Sequence, residues 1–361
     1  MEGICIGPRL YSKSELERIS KRYVFELGRK GFIAPSLDIL SPDMGTTSET
    51  MAIMKEAYQT SFGYNDINSS AICTGKPKSL GGIEGRLEAT GYGIYLGMKS
   101  LFEAEYFTHK YNLTPGIKGK TIIIQGLGVV GYYTGKFCYD NGMKIVGIIE
   151  YNSALYDDNG LNFDEAYAFF KANKTLFGFQ AKEAAESEAK GEEFLYKPCD
   201  ILIPCVKQMV ININNCDKLQ CKVVVEGAHC PTTYYAHRLL HFRGIAVVPD
   251  ILLNGGGDVA SYFEWLKDIR HVTLGRLFKG WEKTNKIEIL KAFNKPISEN
   301  IVKGPNEKDI VNTALEEMIA SAIKATIEFA TKNQCNLRTA CYAMAIQKIS
   351  KIYETSGLIN F

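Results

Sequence analysis

A chain of 361 residues with 46% hydrophobic and 23% charged residues reads as soluble and globular, long enough for two domains with separate cores. Lysine and arginine total 42 against 40 acids, a formal net charge of +2, which gives no electrostatic case for nucleic acid or an anionic membrane. Apolar runs such as "TIIIQGLGVVG" and "KIVGII" are far too short to span a bilayer.

Ten cysteines without a CxxC pair suggest free thiols in a reducing compartment. The opening "MEGICIGPRL" carries no basic and apolar leader and no Arg/Ser-rich transit pattern. The first predicted element is a helix over 12–28. Ser12 with Glu15 forms a capping box, and Leu16, Ile19, Tyr23 and Leu27 recur at helical spacing. Then comes "SPDMGTTSETM", in which Pro42 and Gly45 require a tight turn. On local grounds Asp43 is the corner of that turn before it is a carrier of protons. Thr46 with Glu49 reads as the capping box of a second helix running to about Tyr58.

The stretch "NDINSSAICTGKPKSLGGIEGRLEATGYG" has too many clustered glycines for a regular element. It reads as a functional loop leading into a helix near Ala89. From Lys118 the pattern changes to short apolar strands, "KTIIIQG", "KIVGIIE", "DILIPCV", "KVVVEGA" and "IAVVPDI", alternating with helical or loop segments. That alternation predicts an α/β domain with a doubly wound, mainly parallel sheet. Residues 182–193, "KEAAESEAKGEE", read as a solvated surface excursion. The tail is two helices, from Glu307 and from Leu337.

Gly126, Gly128 and Gly131 form a GxGxxG directly after a strand. The first permits a tight turn, the second lets backbone approach a pyrophosphate, and the third packs helix on strand. The next strand ends at Glu150, where such a site wants an acid for ribose hydroxyls. NAD is favoured over NADP, because a 2′-phosphate would meet a like charge. His237 and His241 in "HRLLH" lack the glutamate and further ligands of a metal site, and no metal is expected. The aromatic cluster in "SYFEWLKDI" reads as the buried face of a helix, with Ser261 as its polar hint of function.

"GFIAPSLDILSPDMGT", the glycine-rich loop, "GKTIIIQGLGVVG", "VVVEGAHCPTT" and "VVPDILLNGGGDVASYFEWLK" together resemble the hexameric, animal-type glutamate dehydrogenases of the Glu/Leu/Phe/Val dehydrogenase family. The resemblance runs from about Ile4 to Phe361. It implies a doubly wound Rossmann-type NAD(P)-binding domain and reversible oxidative deamination of L-glutamate to 2-oxoglutarate and ammonia. NAD is the implied cofactor, with NADP as the alternative. By position, Asp43 matches the acid that shuttles protons, and Arg86 an arginine near the substrate. Ser261 matches the serine that binds the distal carboxylate. Thr90 and Asn254 match contacts to the nicotinamide end of the cofactor.

The resemblance also implies an arrangement of domains. Residues 1–85 would be a remnant of the substrate, or dimerisation, domain and 86–278 the dinucleotide domain. Residues 279–308 would be a shortened antenna and 309–361 the pivot and C-terminal helices. The site is expected at the carboxyl ends of the strands, in the cleft between the first two domains. A homo-oligomer, hexameric at full length, in the mitochondrial matrix or otherwise the cytoplasm is expected. The family's catalytic lysine falls at or just before Met1, and two further substrate lysines fall upstream. The sequence is therefore expected to be N-terminally incomplete. His229 and Cys230 stand for an asparagine and a glycine of the family, and Tyr92 for an arginine. Two rivals remain: a non-catalytic NAD-binding or regulatory relative, and an amino-acid dehydrogenase of other specificity.

Overall fold

The computed structural model describes residues 3–187, 191–272, 285, 287–293 and 305–357. The chain divides into two compact units, one of Met1–Leu87 with Asp258–Ala314 and one of Glu88–Gly257 with Leu315–Phe361. Most of the antenna-like stretch expected over 279–308, and residues 188–190 of the charged run, lie outside the described residues.

In the first unit, helices Lys13–Arg29 and Ser48–Ser61 pack around a core of Val24, Ile33, Met51, Met54, Tyr58, Ile72 and Cys73. Each such side chain contributes about 1.5–3 kcal/mol by leaving water. The capping box of Ser12 with Glu15 forms as the sequence suggested. The second box does not. The Thr46 hydroxyl is taken by the turn before it, accepting from the Asp43 N–H and donating to the Asp43 carbonyl, both at 2.8 Å. The helix is capped one residue later, by Thr47 with Thr50.

In the second unit the described residues form a seven-stranded sheet. Its strands are β1 (Thr121–Gln125), β2 (Lys144–Glu150), β3 (Ser153–Tyr156), β4 (Glu183–Ala185), β5 (Ile201–Pro204), β6 (Val223–Val225) and β7 (Ala246–Val248). The spatial order is β4-β3-β2-β1-β5-β6-β7. Strands β2, β1, β5, β6 and β7 run parallel, and β3 and β4 join antiparallel at one edge. Ile122, Ile123 and Ile124 are wholly buried, as a parallel strand covered on both faces requires. Helices such as Val129–Asp140 and Phe163–Asn173 flank this α/β sheet. The chain order reverses on either side of β1, and ligands of such sheets bind at that reversal.

The edge strand β4 corrects the reading of 182–193 as a free surface excursion. Glu183–Ala185 pairs with β3, and Ala185 is buried. Among the described residues, no helix is long and apolar enough to cross a membrane. All ten cysteines are free.

Candidate active site

In the first unit the "SPDMG" segment is hung from the glycine-rich loop. Leu40 N–H donates to Ile72 O at 2.9 Å, and Thr74 N–H donates to Leu40 O at 2.8 Å. Pro42 lies against Gly75, where φ is +75° and a Cβ would fall 2.5 Å from Pro42 Cγ. Asp43 is exposed in the turn that follows. Its Oδ1 accepts the Met44 N–H at 2.8 Å, and Oδ2 takes no hydrogen bond from the described residues. The turn role is thus satisfied by one oxygen alone.

Arg86 begins the helix Arg86–Glu103, and its Nε donates to Ser261 Oγ at 2.7 Å. Its Nη2 reaches Ser41 Oγ at 3.4 Å, two residues before Asp43. A guanidinium has five N–H donors, so this geometry leaves donors for a carboxylate. Burial pulls the Arg86 pKa below its usual value, while the carboxylates of Asp258 and Glu264 work the other way. The structure therefore brings Arg86 and Ser261 together, with Asp43 tied to them through Ser41.

The helix Gly256–Arg270 also corrects the reading of "SYFEWLKDI" as an aromatic buried face. Tyr262 is 55% exposed, and the wholly buried residue is Glu264. Trp265 is half-buried and donates to Pro35 O at 2.8 Å. Glu264 meets Lys76 of "TGKPKSLGG" at 2.7 Å, a pair that sequence reading passed over. The lone signal was an acid in the middle of an aromatic run.

In the second unit the three glycines divide their roles. Gly126 has φ +95°, a conformation that side chains resist. A Cβ on Gly131 would fall 1.9 Å from the Gly126 carbonyl oxygen, so helix and strand touch there. A Cβ on Gly128 would meet nothing within 4 Å. No atom of the described residues explains that glycine, but the close approach of a pyrophosphate would, so the residues present fit a dinucleotide. Gly128 caps the helix Val129–Asp140 without a side-chain bond, which leaves first-turn N–H groups for an anion.

Glu150 ends β2, and its Oε1 accepts the Leu127 N–H from inside the glycine turn. The acid thus stands beside the glycine turn. Gly227 and Ala228, after β6, both donate to Pro204 O at the end of β5. Just beyond them, His229 Nδ1 lies 3.2 Å from Asn254 Nδ2. Thr90 follows Ala89, whose carbonyl packs so closely on Gly256 that a Cβ there would lie 2.2 Å away. Thr90 and Asn254 therefore sit on adjoining segments of one unit. Tyr92, on the same helix as Thr90, donates its hydroxyl to Glu316 and packs on Phe137 with ring centroids 4.7 Å apart.

The second unit also holds a buried ionic network. Glu226 is wholly buried and pairs with Arg338 at 2.6 Å, and Arg338 also reaches Asp250 at 3.3 Å. Arg338 Nε approaches His237 Nδ1 at 3.4 Å as a donor, so the imidazole is neutral. Burial, then Arg338 and His241, pushes its pKa down to about 4. His237 is a core histidine, and among the described residues no cluster of three or more His, Cys, Asp or Glu could hold a metal. Cys230 adopts φ +46°, and its N–H donates to Asp250 Oδ2 at 2.8 Å.

The family model "Glutamate/Leucine/Phenylalanine/Valine dehydrogenase" matches residues 81–287. The model "Glu/Leu/Phe/Val dehydrogenase, dimerisation domain" matches residues 2–60. A mitochondrial glutamate dehydrogenase of Dictyostelium discoideum is 40% identical over 98% of this chain and 72% of its own. An NADP-specific glutamate dehydrogenase of Saccharolobus shibatae is 31% identical over 99% of this chain and 73% of its own. Among solved structures, the hetero-hexameric glutamate dehydrogenase of Thermus thermophilus in a Leu-bound form superposes with a TM-score of 0.76. It is 26% identical and is covered over 97% of this chain and 71% of that one.

Proposed function

The chain belongs to the Glu/Leu/Phe/Val dehydrogenase family, and from that premise we propose that it acts as a glutamate dehydrogenase through Asp43, Arg86 and Ser261. The reaction converts L-glutamate, water and NAD(P)⁺ to 2-oxoglutarate, ammonium, NAD(P)H and a proton, and it runs in both directions. The bound dinucleotide supplies the hydride acceptor or donor.

The chain's own residues bind, orient and move protons. Arg86 and Ser261 hold the distal carboxylate of glutamate, one by charge and one by hydroxyl, a bond worth about 1.5–3 kcal/mol when the acceptor is charged. Asp43 Oδ2 takes a proton from the substrate amine and returns one to the departing ammonia. A carboxylate in that role accelerates proton transfer by roughly 10²–10⁴. Gly126, Gly128 and Gly131 seat the pyrophosphate, and Glu150 accepts from the ribose hydroxyls. Thr90 and Asn254 serve the nicotinamide end. Glu150 favours NAD, and NADP is the second cofactor.

The observation that carries the reading is the meeting of Arg86 Nε and Ser261 Oγ at 2.7 Å across 175 positions of sequence. It gives a carboxylate grip that a dehydrogenase of apolar amino acids has no use for. The hetero-hexamer of the Thermus relative supports an oligomer here, of which a homo-oligomer is the simplest form, and the Dictyostelium relative supports a mitochondrial location. The test is a steady-state assay of the 361-residue chain with NAD or NADP, comparing glutamate with leucine and valine. Turnover of glutamate alone is expected. NAD binding without turnover of any amino acid would favour the regulatory rival, and turnover of leucine or valine the other.

A further inference from the structure

Ser261, Glu264 and Asp268 stand at i, i+3 and i+7 on the helix Gly256–Arg270, so a hydroxyl and two carboxylates share one face. Solvent does not reach Glu264 and barely reaches Asp268. The side chains of Lys76 and Glu264 are 0% exposed, and that of Asp268 is 8% exposed. Lys76 Nζ donates to Glu264 Oε1 at 2.7 Å, to Asp268 Oδ2 at 2.8 Å and to the Cys73 carbonyl.

Glu264 does more than balance that ammonium. Its Oε2 accepts the backbone N–H of Gly75 at 3.0 Å and of Ile83 at 3.3 Å, and Oε1 accepts that of Lys76 at 3.3 Å. One carboxylate thus closes the segment 75–83, within the glycine-rich stretch, into a loop held at both ends. Inside it, a Cβ on Gly82 would fall 1.9 Å from the Lys76 carbonyl oxygen, so the loop has no slack.

Each end of that loop leads to a part of the amino-acid site. At one end Gly75 carries Pro42, and Asp43 follows Pro42. At the other, Arg86 comes three residues after Ile83, and its partner Ser261 is one helical turn from Glu264. A buried ion group of this kind adds little to stability compared with apolar residues of the same volume. Its bonds to three backbone N–H groups instead fix where the loop begins and ends.

We infer that Glu264 and Lys76 are positioning residues for substrate selection, holding Arg86 on Ser261 and seating the Asp43 turn so that the site takes a dicarboxylate. This rests on the reading of Arg86 and Ser261 as the grip on the distal carboxylate.

The test compares two ligands of the NADH-loaded chain by calorimetry: 2-oxoglutarate, and 2-oxopentanoate, which carries a methyl in place of the distal carboxylate. The readout is the ratio of their affinities in the wild type, Ser261→Ala, Glu264→Gln and Asp268→Asn, with NADH affinity measured alongside. Glu264→Gln is expected to lower the preference for 2-oxoglutarate about tenfold, a 1.4 kcal/mol change, and to leave NADH affinity unchanged. A role in folding alone would lower both affinities together and leave the ratio where it was, which would overturn the inference. If Glu264→Gln does not fold, Asp268→Asn decides. It keeps the backbone bonds of Glu264 and removes one acid from Lys76. A lowered ratio supports the inference, and an unchanged one overturns it. A lowered ratio in Ser261→Ala beside an unchanged ratio in folded Glu264→Gln overturns the positioning role alone. An unchanged ratio in Ser261→Ala overturns the carboxylate grip as well.

Discussion

Arg86 Nε donates to Ser261 Oγ at 2.7 Å, and the same guanidinium reaches Ser41, two residues before Asp43. One side chain therefore connects the proposed carboxylate grip with the proposed acid/base turn. Ser261→Ala removes the hydroxyl from both the arginine and a bound carboxylate. The 2-oxoglutarate KM is expected to rise by roughly one to two orders of magnitude, the equivalent of a hydrogen bond to a charged group. Arg86→Lys keeps the charge and loses the fork, and a comparable rise is expected. Initial-rate kinetics on folded variants check both.

The glycines of the phosphate loop separate folding from binding. Gly131→Ala sets a methyl 1.9 Å from the Gly126 carbonyl oxygen and is expected to destabilise the fold by about 1–3 kcal/mol or more. Gly128→Ala has φ −64° and open space, so the melting temperature is expected to hold. NADH affinity is expected to fall with it, because the added methyl occupies the approach to the pyrophosphate. Thermal melts and NADH titration of the two variants give the comparison.

Cys230 occupies the left-handed region at φ +46°, where a Cβ costs roughly 1–2 kcal/mol. Its backbone N–H bond to Asp250 survives substitution, and only the thiol's own contact with that carboxylate is lost. Cys230→Gly is expected to raise unfolding free energy by about 1 kcal/mol, less the added entropy of the unfolded glycine. Denaturant titration at fixed pH measures it.

His237 is neutral in the fold, with its pKa pushed down to about 4 by burial and by the neighbouring Arg338 and His241. The unfolded imidazole binds its proton near pH 6.5, so below that pH the unfolded state holds more protons. Stability is expected to fall as pH drops from 6.5 towards 4, by roughly 2 kcal/mol from this group at pH 5. Above pH 6.5 both states are neutral and the contribution is flat. His237→Gln is expected to reduce the loss between pH 7 and pH 5 by that amount, read from denaturant midpoints at the two pH values.

Much of this was legible in the sequence where geometry is local. The apolar strands β1, β2, β5, β6 and β7 announced a covered parallel sheet. Gly126 and Gly131 are demanded by the turn and by the packing within a few residues of themselves. Strands β3 and β4 escaped notice because they are short, antiparallel and at the edge, and β4 is cut from a charged run. The helix after Asp43 begins one residue late because two adjacent threonines compete and the turn takes the first. Glu264 could not be read as a buried acid, since its partner Lys76 is 188 positions away and aromatic neighbours suggested the opposite face. Distant ion pairs leave no periodic trace.

The most direct test of the account concerns Asp43. In Asp43→Asn the amide oxygen still accepts the Met44 N–H, so the turn persists while the proton-carrying oxygen is lost. The account expects an unchanged melting temperature and NADH affinity, with kcat for glutamate reduced by about 10²–10⁴. A folded Asp43→Asn protein that turns over glutamate at the wild-type rate would contradict it.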